Sequence, residues 1–242
     1  MKNVIEIQDL EKAFGSNVIL RGVNMKLHKG ENIAILGKSG TGKSVLTKCI
    51  VRLIECDSGK INVFDNDITE MEVDQIDEIR KRVGYLFQGG ALYDSMTVKE
   101  NLEFPVRRTQ LSKNKSEVND MVDEALESVG LLEAKHKMPA ELSGGMKKRI
   151  GLARTLILKP EIILYDEPTT GLDPVTSGEI SELIMRIREK YNTSSLIITH
   201  DMKCAEITAD KLKLLKDGKF YAEGSFDELR KSDDREVAAY FN

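Results

Sequence analysis

The sequence has few cysteines, and their placement excludes two classes of small protein. Cys49, Cys56 and Cys204 are odd in number, and none of them belongs to a C-x-x-C pair. A disulfide framework needs an even set of cysteines, and a structural metal cluster needs closely spaced ligands. We therefore expect neither, and we interpret the three cysteines as ordinary small core or surface residues.

The sequence also lacks a long apolar run. The longest, Val237 to Phe241, has five residues, whereas a membrane-spanning helix needs about 20. The first ten residues alternate apolar and polar from Val4 and contain no apolar block of the kind that a secretory signal requires. These absences predict a chain without a membrane span that stays in the cytoplasm.

Neither sign of charge dominates. The 242 residues include 36 Lys and Arg against 40 Asp and Glu, which gives a formal net charge of −4. This balance is typical of a globular protein, excludes intrinsic disorder, and argues against nucleic acid as a partner. The length suggests one large domain or two interleaved small ones, and it is sufficient for a core that folds unaided.

Hydrophobic periodicity predicts an α/β fold. Short apolar runs of the buried-strand type occupy residues 32–36, 162–165 and 196–198, and a helical stripe separates the last two. Strand, helix and strand in this order imply a parallel sheet. Asp217 and Gly218 lie between two alternating segments and predict a tight hairpin, and a capping box that begins at Ser225 predicts a last helix.

Three further segments complete the pattern. The first 36 residues predict short strands joined by turns. An apolar stripe predicts a helix that begins at Ser44 and is stopped by residues 57–59. Between Gln88 and about Leu158 the pattern is helical throughout, which predicts a helical insertion in the α/β frame.

The sequence GKSGTGKS follows the predicted strand at 32–36 and precedes the predicted helix. It fits the pattern G-x-x-x-x-G-K-[ST] completely. Glycines let the backbone curl so that its amides face inward, and the helix N-terminus attracts anions to the same point. We therefore predict an ATP site in which Lys43 pairs with the outer phosphates and the Ser44 hydroxyl holds Mg²⁺. The predicted nucleotide-binding residues of this loop are Gly37, Lys38, Ser39, Gly40, Thr41, Gly42, Lys43, Ser44 and Val45.

Two carboxylates follow the apolar run at 162–165. Asp166 and Glu167 emerge together at the carboxyl end of a parallel sheet, where ligands bind. Asp166 would hold the metal through water, and Glu167 would orient and deprotonate the water that attacks the γ-phosphate. The alternative is that the two acids only cap the next turn. Beside a phosphate loop, we favour ATP hydrolysis.

The sequence LSGGM at 142–146 resembles the signature motif of ABC-type ATPase subunits. The resemblance covers essentially the whole chain, and the motif distinguishes this family from kinases, GTPases and helicases. It implies a P-loop NTPase (ABC ATPase) core with an antiparallel β subdomain and an inserted helical subdomain. Residues 1–242 would form a single ATP-binding domain, with 1–88 and 158–242 as the nucleotide-binding core and 89–157 as the helical insertion.

The resemblance also implies roles for residues outside the phosphate loop. Phe14 would stack on adenine, Gln88 would touch Mg²⁺ and signal to a membrane partner, and His200 would contact the γ-phosphate. Taken alone, such a Phe and such a His are more often structural. Ser143, Gly144 and Gly145 would reach the γ-phosphate held by a second copy, with Asp173 near the interface of an ATP-bound homodimer. The predicted catalytic residues are Lys43, Gln88, Glu167 and His200, and the predicted metal ligands are Ser44, Gln88 and Asp166.

A single cassette without membrane segments resembles a separate subunit that docks, at the inner face of the cell membrane, on integral membrane permease subunits. The sequence QGGALYDSMTVKEN at 88–101 would present exposed apolar side chains to such a partner. Together with LSGGM, it resembles the ATPases of bacterial lipid transporters of the maintenance of lipid asymmetry and mammalian cell entry type. This resemblance implies phospholipid transport between bacterial membranes, with a periplasmic lipid-binding subunit in the complex. Two alternatives stay open: an importer or lipoprotein-release complex, and a non-transporting ATP-dependent clamp of the cell-division type.

Overall fold

The computed structural model describes residues 2–112 and 114–241. Within these ranges the helices and strands alternate in the manner of an α/β fold. The strands are β1 (Asn3–Phe14), β2 (Asn17–His28), β3 (Asn32–Leu36), β4 (Ser58–Val63), β5 (Asn66–Asp67), β6 (Val83–Leu86), β7 (Ile162–Asp166), β8 (Ser194–Ile198), β9 (Lys211–Lys216) and β10 (Lys219–Gly224). The α-helices are α1 (Lys43–Ile50), α2 (Val73–Arg82), α3 (Val98–Thr109), α4 (Lys115–Ser128), α5 (Gly144–Leu156), α6 (Pro174–Tyr191), α7 (Met202–Thr208), α8 (Phe226–Arg230) and α9 (Arg235–Ala238). Two short 3-10 segments, Leu132–Ala134 and Pro139–Glu141, lie before α5.

A six-stranded sheet in the order β10-β9-β3-β8-β7-β6 forms the centre of the fold. All neighbours are parallel except β10, which pairs antiparallel with β9. Leu196 of β8 lies between Ile33 of β3 and Leu164 of β7. The prediction of a parallel sheet is confirmed, and its register brings the carboxyl ends of β3, β7 and β8 to one edge.

The central sheet is buried on both faces. Every residue of β3, β7 and β8 is buried, as the continuous apolar runs predict for parallel strands covered on both sides. Ile33 and Ile35 belong to one buried cluster, together with α1 and the antiparallel sheet. Ala34 and Leu36 belong to a second cluster, which contains residues of α3, α4, α5 and α6.

A four-stranded antiparallel sheet in the order β2-β1-β4-β5 covers α1. The hairpin of β1 and β2 turns at residues 15–16, where Gly15 has φ 59°. The predicted antiparallel β region is therefore confirmed. The prediction that its strands are short is wrong for β1 and β2, which have 12 residues each. The helical segment between β6 and β7 contains α3, α4 and α5, but the predicted helical run from Gln88 begins only at Val98.

The prediction that the first helix continues to residues 57–59 is wrong. Helix α1 ends at Ile50, because Arg52 adopts a left-handed conformation with φ 49°. Arg80 of α2 satisfies the free carbonyls at this end: Nε donates to Val51 O at 3.0 Å and Nη2 to Arg52 O at 2.9 Å. The apolar stripe therefore overestimates the helix, and Leu53 is exposed.

Two predictions concern the C-terminal region. Asp217 and Gly218, with φ 50° and 77°, form the predicted tight turn between β9 and β10. The Ser225 capping box opens α8 as predicted. That helix is not the last, because the Asp234 side chain accepts from two backbone amides and begins the four-residue helix α9. A helix this short has no periodicity that a sequence pattern could reveal.

The three cysteines are free, with Cys49 and Cys204 buried. No helix among residues 2–112 and 114–241 is long and apolar enough to cross a membrane.

Candidate functional site

A cavity of about 400 Å³ lies at the carboxyl edge of the central sheet. Segments that follow β3, β6, β7 and β8 all reach it. Its lining residues are Gly37, Lys38, Ser39, Gly40, Lys43, Ser44, Gln88, Glu167 and His200. The structure therefore brings most of the predicted phosphate loop together with Gln88, Glu167 and His200, although these residues are far apart in the sequence.

The loop before α1 requires glycine at two positions. A Cβ on Gly37 would lie 2.6 Å from Leu215 O and 2.8 Å from Thr41 Oγ1. Gly42 has φ 100°, and a Cβ there would lie 2.7 Å from Ile19 Cγ2 of the antiparallel sheet. Any larger residue would push the loop away from its neighbours. The helix that begins at Lys43 has no acidic residue in its first turn, so its positive end is free for an anion.

Lys43 is held inside the loop. Its side chain is buried, and Nζ donates to Gly37 O at 2.7 Å and to Lys38 O at 3.1 Å. Burial lowers the pKa of Lys43, and the charges of Glu167 and Asp166 oppose this shift. The ammonium therefore lies beside the cavity with its position set by the loop backbone.

Ser44 and Asp166 meet across two elements. Ser44 Oγ donates to Asp166 Oδ1 at 2.8 Å. Tyr85 OH, from β6, donates to Asp166 Oδ2 at 3.2 Å and lies 3.0 Å from Thr47 Oγ1. Burial raises the pKa of Tyr85, which keeps its hydroxyl protonated. Tyr85 and Thr47 were not predicted. Only the parallel pairing of β6 with β7 places Tyr85 beside Asp166, and Thr47 joins the site through its contact with Tyr85.

The hydroxyl of Ser44 and the carboxylate of Asp166, with Gln88 on the cavity wall, are oxygen donors of the kind that Mg²⁺ prefers. Within residues 2–112 and 114–241, no group of three or more His, Cys, Asp or Glu side chains could hold a metal alone. Mg²⁺ usually binds through one or two protein groups together with substrate phosphates. The residues present therefore fit that ion.

Glu167 follows β7 with φ 52°, a left-handed conformation that is rare for a residue with a side chain. Its Oε2 lies 2.7 Å from His200 Nδ1 and accepts from Thr170 Oγ1 at 2.9 Å. Its backbone N donates to Ile198 O, and its backbone O accepts from Lys148 Nζ. Thr170 and Lys148 were not predicted, since neither matches a motif that the sequence analysis used.

The remaining predicted residues lie outside this cavity. Phe14 is half-exposed at the end of β1, with Lys12 Nζ 5.3 Å from its ring centroid. Ser143 begins α5 and accepts from Met146 N, while Asp173 begins α6. The two helix starts pack together, because a Cβ on Gly145 would lie 2.7 Å from Thr176 Cγ2. Other predicted residues that do not line the cavity are Thr41, Gly42, Val45, Gly144 and Asp166.

The sequence model of one protein family, described as ABC transporter, matches residues 20–170. That range contains the phosphate loop, Gln88, the LSGGM sequence and the Asp166–Glu167 pair. The chain belongs to the ABC transporter family. It is the ATP-binding, ATP-hydrolysing subunit of such a transporter, and ABC cassettes dimerise and work with membrane permeases.

Curated relatives extend over almost the whole chain. "Probable ribonucleotide transport ATP-binding protein mkl" of Mycobacterium leprae is 41% identical over 98% of this chain and 68% of its own length. "Intermembrane phospholipid transport system ATP-binding protein MlaF" of Haemophilus influenzae is 38% identical over 99% of this chain and 90% of its own length. "Methionine import ATP-binding protein MetN" of Rhizobium johnstonii is 36% identical over 92% of this chain and 61% of its own length.

Solved structures confirm the fold. A dimeric ATP-binding cassette, MJ0796, in a post-hydrolysis state bound to ADP and Pi, matches with a TM-score of 0.84 and 28% identity, over 92% of this chain and 98% of that chain. The cassette cbiO1 of Clostridium perfringens, part of the ABC transporter complex cbiONQ, matches with a TM-score of 0.86 and 27% identity, over 100% of this chain and 98% of that chain.

Proposed function

We propose that this ABC ATPase powers phospholipid transport between bacterial membranes, binding ATP across a homodimer and hydrolysing it with Glu167 as general base. The observation that carries the hydrolytic part is one cavity lined by Lys43, Ser44, Glu167 and His200. A phosphate-binding cation and a carboxylate therefore face the same space. The carboxylate is held by His200 at 2.7 Å and Thr170 at 2.9 Å, so it is oriented before ATP arrives.

Each group of the cavity has one task in this mechanism. Lys43 pairs with the outer phosphates, and the backbone amides of the loop and the N-terminus of α1 cradle them. Glu167 accepts a proton from the attacking water, and His200 contacts the γ-phosphate. Mg²⁺, when bound by Ser44, Gln88 and Asp166, supplies charge neutralisation at the phosphates.

The second half of each site is proposed to come from a second copy of the chain. Ser143, Gly144 and Gly145 form a helix start outside the cavity, and a helix start attracts anions. Asp173 begins the helix packed against them, at the proposed dimer interface. The half-exposed ring of Phe14 is available to stack on adenine. The dimeric MJ0796 cassette provides a precedent for such pairing.

A second cavity, of about 440 Å³, is the proposed docking site for the permease at the cytoplasmic face of the membrane. Tyr93 and Phe104 line it and are both partly exposed, with ring centroids 5.0 Å apart. Arg154 fixes the loop beside it, because Nη1 donates to Ala91 O at 2.7 Å. Exposed aromatic side chains on a fixed loop are typical of a partner surface.

The MlaF relative supports phospholipid as the substrate, because this chain matches 90% of its length. A periplasmic lipid-binding subunit in the complex is part of the same proposal. The mkl relatives, of which this chain spans about two thirds, and MetN name ribonucleotide transport and methionine import. These two substrates are the competing hypotheses.

Glu167→Gln tests the hydrolytic mechanism. The amide keeps the shape of the carboxylate but cannot accept the proton, so ATP turnover should fall by about 100-fold or more. Size-exclusion chromatography with ATP should then show a trapped dimer. The control is Glu182→Gln on the exposed face of α6, which should turn over normally. Unchanged turnover in Glu167→Gln would remove Glu167 from the proposed role.

The substrate is tested with the purified complex of this chain and its native partners. Reconstituted into vesicles, it should move a fluorescent phospholipid in an ATP-dependent manner, and the same complex carrying Glu167→Gln should not. ATP-dependent uptake of methionine or a ribonucleotide, without lipid movement, would contradict the phospholipid proposal. A native partner that is a single division protein rather than a permease would contradict transport altogether.

A further inference from the structure

Lys148 is a buried lysine that the proposed mechanism does not use. It lies on α5, only 6% exposed, and its Nζ donates to the backbone O of Glu167 at 2.8 Å. A buried charge is costly unless it is hydrogen-bonded, so a lysine at such a place requires a reason. Burial lowers the pKa of Lys148, and the negative charges of Glu167 and Asp166 act against that shift.

The group that accepts this hydrogen bond belongs to an unusual residue. Glu167 has φ 52°, and a non-glycine residue persists in the left-handed region only where its surroundings hold it. Its backbone N is held by Ile198 O of β8 at 2.9 Å. Lys148 holds its backbone O. The main chain of Glu167 is therefore fixed at both ends, from the sheet on one side and from α5 on the other.

Helix α5 connects three parts of the molecule. It begins with the Ser143 cap and Gly144–Gly145, and Lys148 follows within about one and a half turns. Gly151 packs against the loop after Gln88, because a Cβ there would lie 2.9 Å from Gly90 O. Arg154 binds the same loop through Gly90 O and Ala91 O. One helix thus begins at the partner-facing turn, residues 143–145, which is proposed to meet the second copy. The same helix contacts the docking loop at Gly90 and Ala91 and the backbone of Glu167.

We propose that Lys148 is a positioning residue, which ties the main chain of Glu167 to α5 so that hydrolysis reaches its full rate only when α5 is seated against the end of β7. This inference rests on the proposed role of Glu167 as general base. It adds a physical link by which a displacement of the docking loop or of the partner-facing turn moves the carboxylate. Because α5 is one helix, a small shift at either end reaches Lys148.

A purely structural role for Lys148 predicts a different effect of its replacement from the one that a positioning role predicts. If the lysine only fills space, its replacement lowers stability and leaves the chemistry of the folded protein unchanged. If it positions Glu167, replacement slows the chemical step while ATP binding is retained. A displacement of about 1 Å at a reacting group costs on the order of 100-fold in rate, so the two roles are separable by kinetics.

The first experiment compares four forms of the protein: wild type, Lys148→Met, Lys148→Arg and Lys147→Met. Lys148→Met should lower kcat about 10-fold to 100-fold with KM for ATP changed less than about twofold. Lys148→Arg keeps a cationic donor and should recover most of kcat. Lys147→Met is the matched control, since Lys147 is the half-buried neighbour on the same helix, and it should behave like wild type. Equal kcat in Lys148→Met and wild type overturns the proposal.

The second experiment is a double-mutant cycle with Glu167→Gln. If Lys148 acts through Glu167, Lys148→Met should have almost no further effect on the residual turnover of Glu167→Gln, because groups that act as a unit are not additive. If Lys148→Met lowers the residual turnover by the same factor as in wild type, the lysine acts independently of Glu167 and the proposal is wrong.

The two experiments distinguish a failure of the role of Glu167 from a failure of the role of Lys148. Normal turnover in Glu167→Gln alone contradicts the proposed role of Glu167 as general base, whatever Lys148 does. Reduced turnover in Glu167→Gln with a fully additive cycle contradicts only the role of Lys148. Should Lys148→Met fail to fold, Lys148→Gln and Lys148→Arg carry the same comparison. In that case equal kcat in those two variants overturns the proposal, because the shorter, neutral amide cannot replace the ammonium at Glu167 O.

Discussion

Lys43 shows how the chain keeps a buried cation ready for an anion. The ammonium bonds to two loop carbonyls, Gly37 O and Lys38 O, and lies beside the N-terminus of α1. These contacts hold the charge at the cavity, where, in the proposed mechanism, phosphate oxygens replace the carbonyl oxygens as its acceptors. The sequence motif indicates this residue, and the structure adds the two carbonyls that fix it.

Lys43→Ala should reduce ATP affinity at least 100-fold, because it deletes the buried cation that is proposed to pair with the outer phosphates. Isothermal titration calorimetry with ATP and Mg²⁺ measures this change. Lys48→Ala is the control, since Lys48 lies in the last turn of the same helix and should leave affinity within about twofold. Wild-type affinity in Lys43→Ala would contradict the phosphate-binding role.

Tyr85, Thr170 and Lys148 are residues that sequence reasoning missed. Each donates a hydrogen bond to a predicted residue, and no local motif indicates that contact. Tyr85 donates to Asp166, Thr170 donates to the side chain of Glu167, and Lys148 donates to the backbone O of Glu167. Of these, only Thr170 lies within a few residues of its partner. The other two reach it from β6 and α5.

At the scale of elements, the sequence places a helix start well where a capping box or the phosphate loop marks it. Ser225 opens α8 with a capping box, and the phosphate loop runs into α1 one residue before the predicted start at Ser44. Helix ends are placed less well. The end of α1 depends on Arg80, from a helix that begins 23 residues after Ile50, so an apolar stripe alone cannot locate it.

The contact between the starts of α5 and α6 leads to an element-scale prediction. Gly145→Ala places a methyl group 2.7 Å from Thr176 Cγ2, which should separate the two turns and destabilise the protein by about 1–3 kcal/mol. Urea denaturation measures this change, and steady-state kinetics should show a loss of ATP turnover.

Gly178→Ala is the matched control for Gly145→Ala. Gly178 lies inside α6, and a Cβ there meets nothing within 4 Å. Alanine should therefore stabilise the protein by about 0.5–1 kcal/mol, since glycine is unfavourable in a helix interior. Equal destabilisation by both substitutions would contradict the packing argument.

At the scale of the whole molecule, the segment that follows β6 contributes lining residues to both cavities. Gln88 lines the proposed nucleotide cavity, while Ala91 and Tyr93 line the proposed docking cavity. A short loop therefore connects the two sites, and Arg154 of α5 holds it in place. This loop lies at the boundary of the proposed division into a core of 1–88 and 158–242 and an insertion of 89–157. That division stays a prediction.

Tyr93→Asp should release the permease while ATP binding is retained. The substitution puts a charge into an apolar surface that the partner would have to desolvate, which costs several kcal/mol. Co-purification of the native complex measures the loss, and nucleotide titration checks that the ATP site is intact. Val73→Asp, an exposed apolar position at the start of α2, is the control, and normal co-purification of Tyr93→Asp would refute the docking site.

The sequence by itself determined the buried parallel strands β3, β7 and β8, the phosphate loop, the carboxylate pair and the family, because these features depend on neighbours within a few positions. Gly42 and Lys43 follow from such a local pattern, and so do the buried runs of β3 and β7. Only the tertiary structure decided which strands are adjacent, where α1 ends, and that Tyr85 and Lys148 reach Asp166 and Glu167. Those contacts form between segments distant in the chain, and their energy comes from packing and burial that no single segment contains.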